Sequence, residues 1–168
     1  MIANILTVFA IVIFDQSAKW LAVKYVKPVH TMPVIDNFLH FTYAENTGAA
    51  FSILQNQRWF FIIVTILVVF VLGAALVRMR PMERMLRVSI LFVIGGALGN
   101  FYDRALRGYV VDMIDFQFVK FAIFNIADCF VVAGAALLIL YVLVDERRKV
   151  KAVKEAYNDE KNKNKLRG

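Results

Sequence analysis

Four long apolar segments are the feature that most constrains how this chain of 168 residues can fold. A helix that crosses a bilayer needs about 20 mostly apolar residues, and the stretches at about 2–23, 57–77, 85–102 and 125–144 meet that length. Hydrophobic residues make up 60% of the chain and charged residues 20%, whereas soluble domains are about half apolar and about a quarter charged. The first segment lacks a basic flank and a small-residue cleavage site, so we expect it to be retained as a span. The sequence therefore predicts a mainly α-helical membrane protein with four transmembrane helices.

Basic residues cluster in two places that set the expected orientation. Arg78, Arg80, Arg84 and Arg87 crowd the second connection, and nine Lys and Arg follow Val144. Because such charges favour the cytoplasmic side, we expect both termini in the cytoplasm and the first and third connections outside. The same clusters account for the net charge of +7. We therefore expect membrane lipid as a partner and no nucleic acid.

Both outward connections, at about 28–56 and 106–123, are rich in aromatic and β-branched residues. Phe116, Gln117 and Phe118 alternate as a half-buried strand would. We expect a small extracellular β platform on the helices, within a membrane domain of residues 1–144. Residues 145–168 are predicted to be a charged cytoplasmic tail, either a solvated helical extension or disordered.

Ionisable and amide side chains within the spans are costly in lipid and usually mark function. The first and third spans end outside and the fourth begins there, so polar groups near these ends are expected at a similar depth. The residues concerned are Asp15, Lys19, Asn100, Asp103, Arg104, Asp112, Asn125 and Asp128. We interpret this convergence near the outer membrane face as a site.

Each residue also has a structural interpretation. Asp15 and Lys19, four residues apart, are spaced for an ion pair. Asn125 can cap the fourth helix, Arg104 can anchor at the interface or pair with its neighbour Asp103, and Asp112 alone can be a solvated loop residue. Small-residue helix packing is the favoured interpretation for the glycines of the third span, namely Gly95, Gly96 and Gly99. A core position is expected for Cys129.

Carboxyl groups brought close together offer a specific chemistry. Two of them cannot both ionise cheaply, so one retains a proton. The charged member can activate a water while the protonated member polarises a carbonyl, as in aspartic proteases. Asp128 lies in a first helical turn, whose dipole favours the charged form and hence the base role. His30 and His40 lack a metal-ligand spacing, so neither a metal nor a cofactor is expected.

Five motifs give the chain a close resemblance to the lipoprotein signal peptidase (signal peptidase II) family, through about residue 144. In order they are DQSAK (Asp15–Lys19), ENTGAAFS (Glu45–Ser52), GNFYDR (Gly99–Arg104), GYVVDMIDF (Gly108–Phe116) and FNIAD (Phe124–Asp128). Each string alone is weak. Together, in the family's order and correctly placed against four spans, they are specific.

The resemblance implies a function and a set of roles. The family hydrolyses the bond before a diacylglyceryl-modified cysteine in bacterial prolipoproteins, in the cytoplasmic (inner) membrane, and globomycin is its characteristic inhibitor. By resemblance Asp112 and Asp128 form a catalytic aspartic dyad near the outer face, without a cofactor, in a chain expected to be monomeric. The residues implied to bind substrate or support the site are Asp15, Lys19, Asn46, Gly48, Asn100, Asp103, Arg104, Asn125 and Ala127.

Two other functions are compatible with intramembrane polar residues. A small transporter would use them as a relay, but the second span offers no ionisable residue beyond Arg58 at its start, and the inward halves of the others are nearly all apolar. A non-catalytic lipoprotein-binding factor would not need both aspartates.

Overall fold

A computed structural model describes residues 2–49, 53–78 and 83–165 of the chain. Arg80, and the end of the ENTGAAFS motif at 50–52, lie outside the described residues. The described ranges contain four α-helices: α1 (Ile2–Leu21), α2 (Arg58–Arg78), α3 (Arg84–Leu106) and α4 (Ile126–Lys165). Each contains a stretch long and apolar enough to cross a membrane. The predicted four-span, mainly α-helical class is confirmed.

Helix α3 is the centre of the bundle and packs against the other three helices. Its glycines permit close approach. A Cβ added at Gly96 would meet the carbonyl oxygen of Ala127 in α4, and one at Gly99 would lie 2.7 Å from Asp15 Oδ2 in α1. The outer faces of α1, α2 and α4 are exposed and apolar, as expected for helices surrounded by lipid. Small-residue packing along α3 is therefore observed as predicted.

The first and third connections form a three-stranded antiparallel sheet in the order β1 (Thr31–Ile35), β2 (Leu39–Asn46) and β3 (Val110–Phe116). A π-helical turn (Ala22–Val26) and a 3-10 turn (Lys27–Val29) lead from α1 into the sheet. Val111 and Met113 pack on Ala22 and Val26 of the π-helical turn. Because side chains alternate along a strand, Asp112 points to the opposite face. The predicted β platform is confirmed.

One detail of the predicted platform was wrong. The third strand ends at Phe116, and residues 117–120 form a turn. Phe118 instead stacks on Phe38, with ring centroids 4.7 Å apart, so the alternation of Phe116, Gln117 and Phe118 reflects an aromatic cluster at the turn. Ile114 of β3 also pairs with Phe124, whose carbonyl accepts a hydrogen bond from Ile114 N at 2.8 Å.

The fourth helix decides between the two alternatives for the tail and corrects the expectation for Cys129. It continues past Val144 to Lys165, so the helical alternative holds for the described part of the tail. Pairs at i and i+4 support it, for example Lys149 with Asp145 at 2.7 Å. Near its start Cys129 is exposed, not in the core, because this side of α4 faces away from the other helices. The boundary between residues 144 and 145 remains a prediction.

The substitution Gly96→Val should disrupt the α3–α4 contact. The valine Cβ would overlap the Ala127 carbonyl oxygen, and overpacking of this kind costs about 1–3 kcal/mol. Gly73→Val is a matched control, since no described atom lies within 4 Å of a Cβ at Gly73, apart from its two chain neighbours and its own helix backbone. We expect thermal unfolding in detergent to show a lower Tm for Gly96→Val than for Gly73→Val. Equal melting would contradict the packing described.

Candidate active site

A fully buried lysine lies where α1, α3 and α4 meet. Lys19 Nζ lies 2.8 Å from Asp15 Oδ2 and 2.9 Å from Asp103 Oδ2, and all three side chains are 0% exposed. Asp15 Oδ1 accepts the backbone N–H of Ala127 at 2.9 Å. The lysine thus joins α1 to α3, and its partner Asp15 joins both to the first turn of α4.

Asn100 connects this charge cluster to Asp128. Its Oδ1 accepts a hydrogen bond from Lys19 Nζ at 2.9 Å and another from Asn125 Nδ2 at 3.1 Å. With the oxygen fixed by two donors, the amide nitrogen points to Asp128 Oδ1, 2.8 Å away. Lys19 therefore determines which way the Asn100 amide presents itself to Asp128.

Asn125 is the residue that contacts both aspartates. Its Oδ1 accepts the N–H of Asp128 at 3.0 Å, while its own N–H donates to Asp128 Oδ2 at 3.2 Å. This reciprocal pair is a capping box at the start of α4, so the predicted cap is observed. The Asn125 Nδ2 group also donates to Asp112 Oδ1 at 2.6 Å. One buried residue thus contacts both carboxyl groups, that of Asp112 on β3 through its side chain and that of Asp128 in the first turn of α4 through its backbone.

Asp112 is only 2% exposed and receives amide donors on both oxygens. Asn125 donates to Oδ1, and Asn46 Nδ2 donates to Oδ2 at 2.9 Å. Burial, and secondly the negative charge of Asp128, raise the pKa of Asp112 to about 6, although the two asparagine hydrogen bonds act in the opposite direction. The group therefore stays protonated to a higher pH than an ordinary aspartate.

Asp128 has a different environment. Its side chain is half-buried, and it lies in the first turn of α4, where the helix dipole favours a negative charge. Asn100 Nδ2 and the Asn125 N–H both donate to it. The two carboxyl groups are therefore electrostatically coupled but unequal, which suits one to hold a proton and the other to accept one.

One of the two alternatives drawn from the sequence paired Arg104 with Asp103. The structure gives Arg104 other partners. Its Nη2 donates to the carbonyl of Gly48 at 2.6 Å, and its guanidinium lies 4.5 Å from the centre of the Phe61 ring. Gly48 N in turn donates to Asn46 Oδ1 at 2.9 Å. Arg104 therefore supports the loop that orients Asn46 towards Asp112.

The partner that sequence reasoning missed for Asp103 is Arg107. Arg107 Nη1 lies 2.9 Å from Asp103 Oδ1, and the Val111 N–H donates to Asp103 Oδ2 at 3.2 Å. The i, i+4 spacing on α3 was a usable signal for this pair. Asp103 thus ties α3 to β3 one residue before Asp112.

The structure brings together all the residues singled out from the sequence. Asn46, Asn100 and Asn125 contact the two aspartates directly. A second set of side chains holds these asparagines or the backbone around them in place: Asp15, Lys19, Asp103 and Arg104. Gly48 and Ala127 contribute backbone groups. The complete set of residues is Asp15, Lys19, Asn46, Gly48, Asn100, Asp103, Arg104, Asp112, Asn125, Ala127 and Asp128.

Asp112 opens onto a cleft of about 620 Å³. Its lining comes from the end of β2, the loop after it and the segment before α4: Ala44, Glu45, Asn46, Thr47, Ala49, Gln55, Asp112, Lys120, Phe121, Ala122 and Ile123. A substrate bound there can reach the buried carboxyl from outside the bundle. The arrangement can support acid–base hydrolysis by a carboxyl pair.

Comparison with known proteins places this geometry in a family. A family profile described as "Signal peptidase (SPase) II" matches residues 7–144. The lipoprotein signal peptidase of Caldanaerobacter subterraneus subsp. tengcongensis is 46% identical over 134 residues, covering 80% of this chain and 91% of the relative. That of Brevibacillus brevis is 43% identical over 138 residues, covering 82% and 93%. The family match ends at residue 144, before the charged part of α4.

A solved structure agrees with these matches. A bacterial membrane enzyme determined by the in meso method at 2.3 Å resolution superposes with a TM-score of 0.83 at 37% identity. The match covers 89% of this chain and 92% of that chain. The likeness therefore extends over the helices and the platform together.

Replacing Lys19 with Met should destabilise the bundle strongly. The substitution leaves Asp15 and Asp103 as buried carboxylates without their shared cation, and breaking a buried pair costs about 3–5 kcal/mol. Lys24→Met is the matched control, because Lys24 is exposed beside Trp20. We expect a large fall in Tm for Lys19→Met alone.

A second variant separates charge from packing. Asp103 keeps Arg107 as a partner in Lys19→Met, whereas Asp15 loses its cation. Adding Asp15→Asn removes this uncompensated charge and should recover part of the Tm. If Lys19→Met melts like Lys24→Met, or if the double variant is less stable than the single one, the buried charge balance is not what holds the helices together.

Proposed function

The chain belongs to the lipoprotein signal peptidase (signal peptidase II) family, whose members remove signal peptides from prolipoproteins, and we propose that it does so as an aspartic endopeptidase. The bond hydrolysed is the one before a diacylglyceryl-modified cysteine. Asp112 and Asp128 form the catalytic dyad. The observation that carries this proposal is the buried Asn125, which donates from its side-chain Nδ2 to Asp112 and from its backbone N–H to Asp128.

The two aspartates take different roles in the proposed reaction. Asp128 acts as the base, supported by the helix dipole and by two hydrogen bonds from Asn100 and Asn125. Asp112 acts as the acid, supported by its burial and its raised pKa of about 6.

The chemistry then proceeds in two steps. Asp128 takes a proton from a water molecule, the water oxygen bonds to the scissile carbonyl carbon, and Asp112 gives its proton to the carbonyl oxygen. In the second step the carbon–nitrogen bond breaks, Asp128 returns its proton to the leaving nitrogen, and Asp112 recovers a proton from a hydroxyl of the intermediate. Both carboxyl groups end in their starting protonation states, so no cofactor is consumed.

We also propose an orientation in the membrane. Arg78, Arg84 and Arg87 flank the inner ends of α2 and α3, and a further basic cluster follows Val144, so the positive-inside rule places both termini in the cytoplasm. The platform and the dyad then lie at the outer face of the bacterial cytoplasmic membrane. Acyl chains hold the modified cysteine at this depth, which positions the scissile bond against the dyad. One chain supplies every residue of the site, so a monomer suffices.

The dyad is tested by cleavage of a diacylglyceryl-modified prolipoprotein with purified wild type, Asp112→Asn and Asp128→Asn. Asn keeps the size of the side chain but cannot serve as a carboxyl acid or base. Each variant should lose at least roughly 100-fold in rate. Asp115→Asn is the matched control: Asp115 lies on the same strand but accepts a hydrogen bond from Thr42 Oγ1 at 2.7 Å, away from the dyad. Its rate should stay within a few-fold of wild type.

Other outcomes would redirect the proposal. Near-normal cleavage by a folded Asp112→Asn or Asp128→Asn variant would remove that residue from the dyad. A folded wild type that binds the lipidated substrate and leaves it intact would support a non-catalytic binding factor.

A further inference from the structure

The described residues that line the cleft beside Asp112 all lie outside the four helices. The cleft is lined by the end of β2, the loop that follows, Gln55 and residues 120–123. Its volume of about 620 Å³ lies within the range of roughly 300–1,000 Å³ typical of ligand pockets. A cleft of this size next to a catalytic acid is expected to hold a part of the substrate.

The topology indicates which part of the substrate this is. The inference rests on the proposed function and orientation, in which the signal peptide lies in the membrane with its amino end inside. The chain that follows the scissile bond then emerges on the outer side, where the cleft is. The lining residues therefore face the residues after the lipidated cysteine, and the lipid-exposed helices face the signal peptide.

The charges of the cleft are uneven. Glu45 carries a negative charge, but Lys27 Nζ lies 3.0 Å from its Oε1 and Tyr43 OH donates to the same oxygen at 2.8 Å. These two contacts lower the pKa of Glu45, the lysine contact most, so the carboxylate is ionised and already has a cation beside it. Glu45 is therefore not free to attract a basic substrate residue.

Lys120 is the opposite case. It lies at the end of the turn after β3 and is exposed, and within the described parts of the chain it has no ion pair and no hydrogen bond from its side chain. Its neighbour Phe121 contacts Phe124 edge to face, with centroids 5.8 Å apart, and Phe124 is bonded to β3. The segment that carries Lys120 is therefore attached to the strand that carries Asp112. The cleft thus has one uncompensated positive charge among its described lining residues.

We propose that this cleft binds the first residues after the lipidated cysteine and that Lys120 makes it favour an acidic side chain there. Lys120 is a specificity-determining residue and takes no part in bond cleavage. Since the contact forms equally in the bound substrate and the transition state, its loss should raise KM and leave kcat unchanged.

The test uses two diacylglyceryl-modified peptides that differ only in the residue after the cysteine, Asp in one and Asn in the other. The full-length enzyme should cleave the Asp peptide with a kcat/KM roughly two- to fivefold higher, the range expected of one partly screened ion pair. Lys120→Gln should remove the preference through KM, and Lys120→Glu should reverse it. Lys24→Gln, which removes an outward-end lysine that does not line the cleft, should keep it.

Salt provides a second readout. Raising ionic strength should reduce the wild-type preference, because screening weakens an exposed charge pair, and should leave Lys120→Gln unchanged. The proposal is overturned if Lys120→Gln and wild type discriminate the two peptides equally, or if Lys120→Gln slows both by the same factor. Failure of the enzyme to cleave either lipidated peptide would instead overturn the proposed function from which this inference starts.

Discussion

The buried contact of Lys19 with Asp15 and Asp103 is the interaction on which the rest of the site depends. Removing three charged groups from water is costly, and it is tolerated only where each finds partners of good geometry. Lys19 finds three oxygen acceptors within 2.9 Å, and Arg107 supplies the second cation for Asp103. The charges therefore balance inside the bundle.

Each group in this cluster has a second contact that positions another part of the site. Asp15 satisfies the Ala127 N–H, one of the donors that a helix start leaves unpaired. Asp103 accepts the N–H of Val111, next to Asp112. Lys19 fixes the Asn100 amide that donates to Asp128. A cluster that by itself looks purely structural thus sets the position of both aspartates, so its structural and functional interpretations are not alternatives.

Much of this could be predicted from the sequence, because lipid makes polar residues rare and therefore informative. Apolar length gave the four helices, and the intramembrane positions of Asp15, Lys19 and Asp128 marked the site. Contacts between distant segments could not be derived in this way. The preference of Arg104 for the Gly48 carbonyl over adjacent Asp103 depends on where the loop after β2 lies, and the exposure of Cys129 depends on the rotation of α4. Both are properties of the packed bundle and leave no local pattern in the chain.

The unequal environment of the two carboxyl groups is the central claim, and infrared titration of the full-length protein measures it directly. Wild type should show a protonated carboxyl that titrates near pH 6 and is missing in Asp112→Asn. In Asp128→Asn the titration of Asp112 should move to lower pH, because the neighbouring negative charge that raises its pKa is gone. If the signal near pH 6 persists in Asp112→Asn and disappears in Asp128→Asn, the proton resides on the other member of the pair and the assigned acid and base roles are wrong.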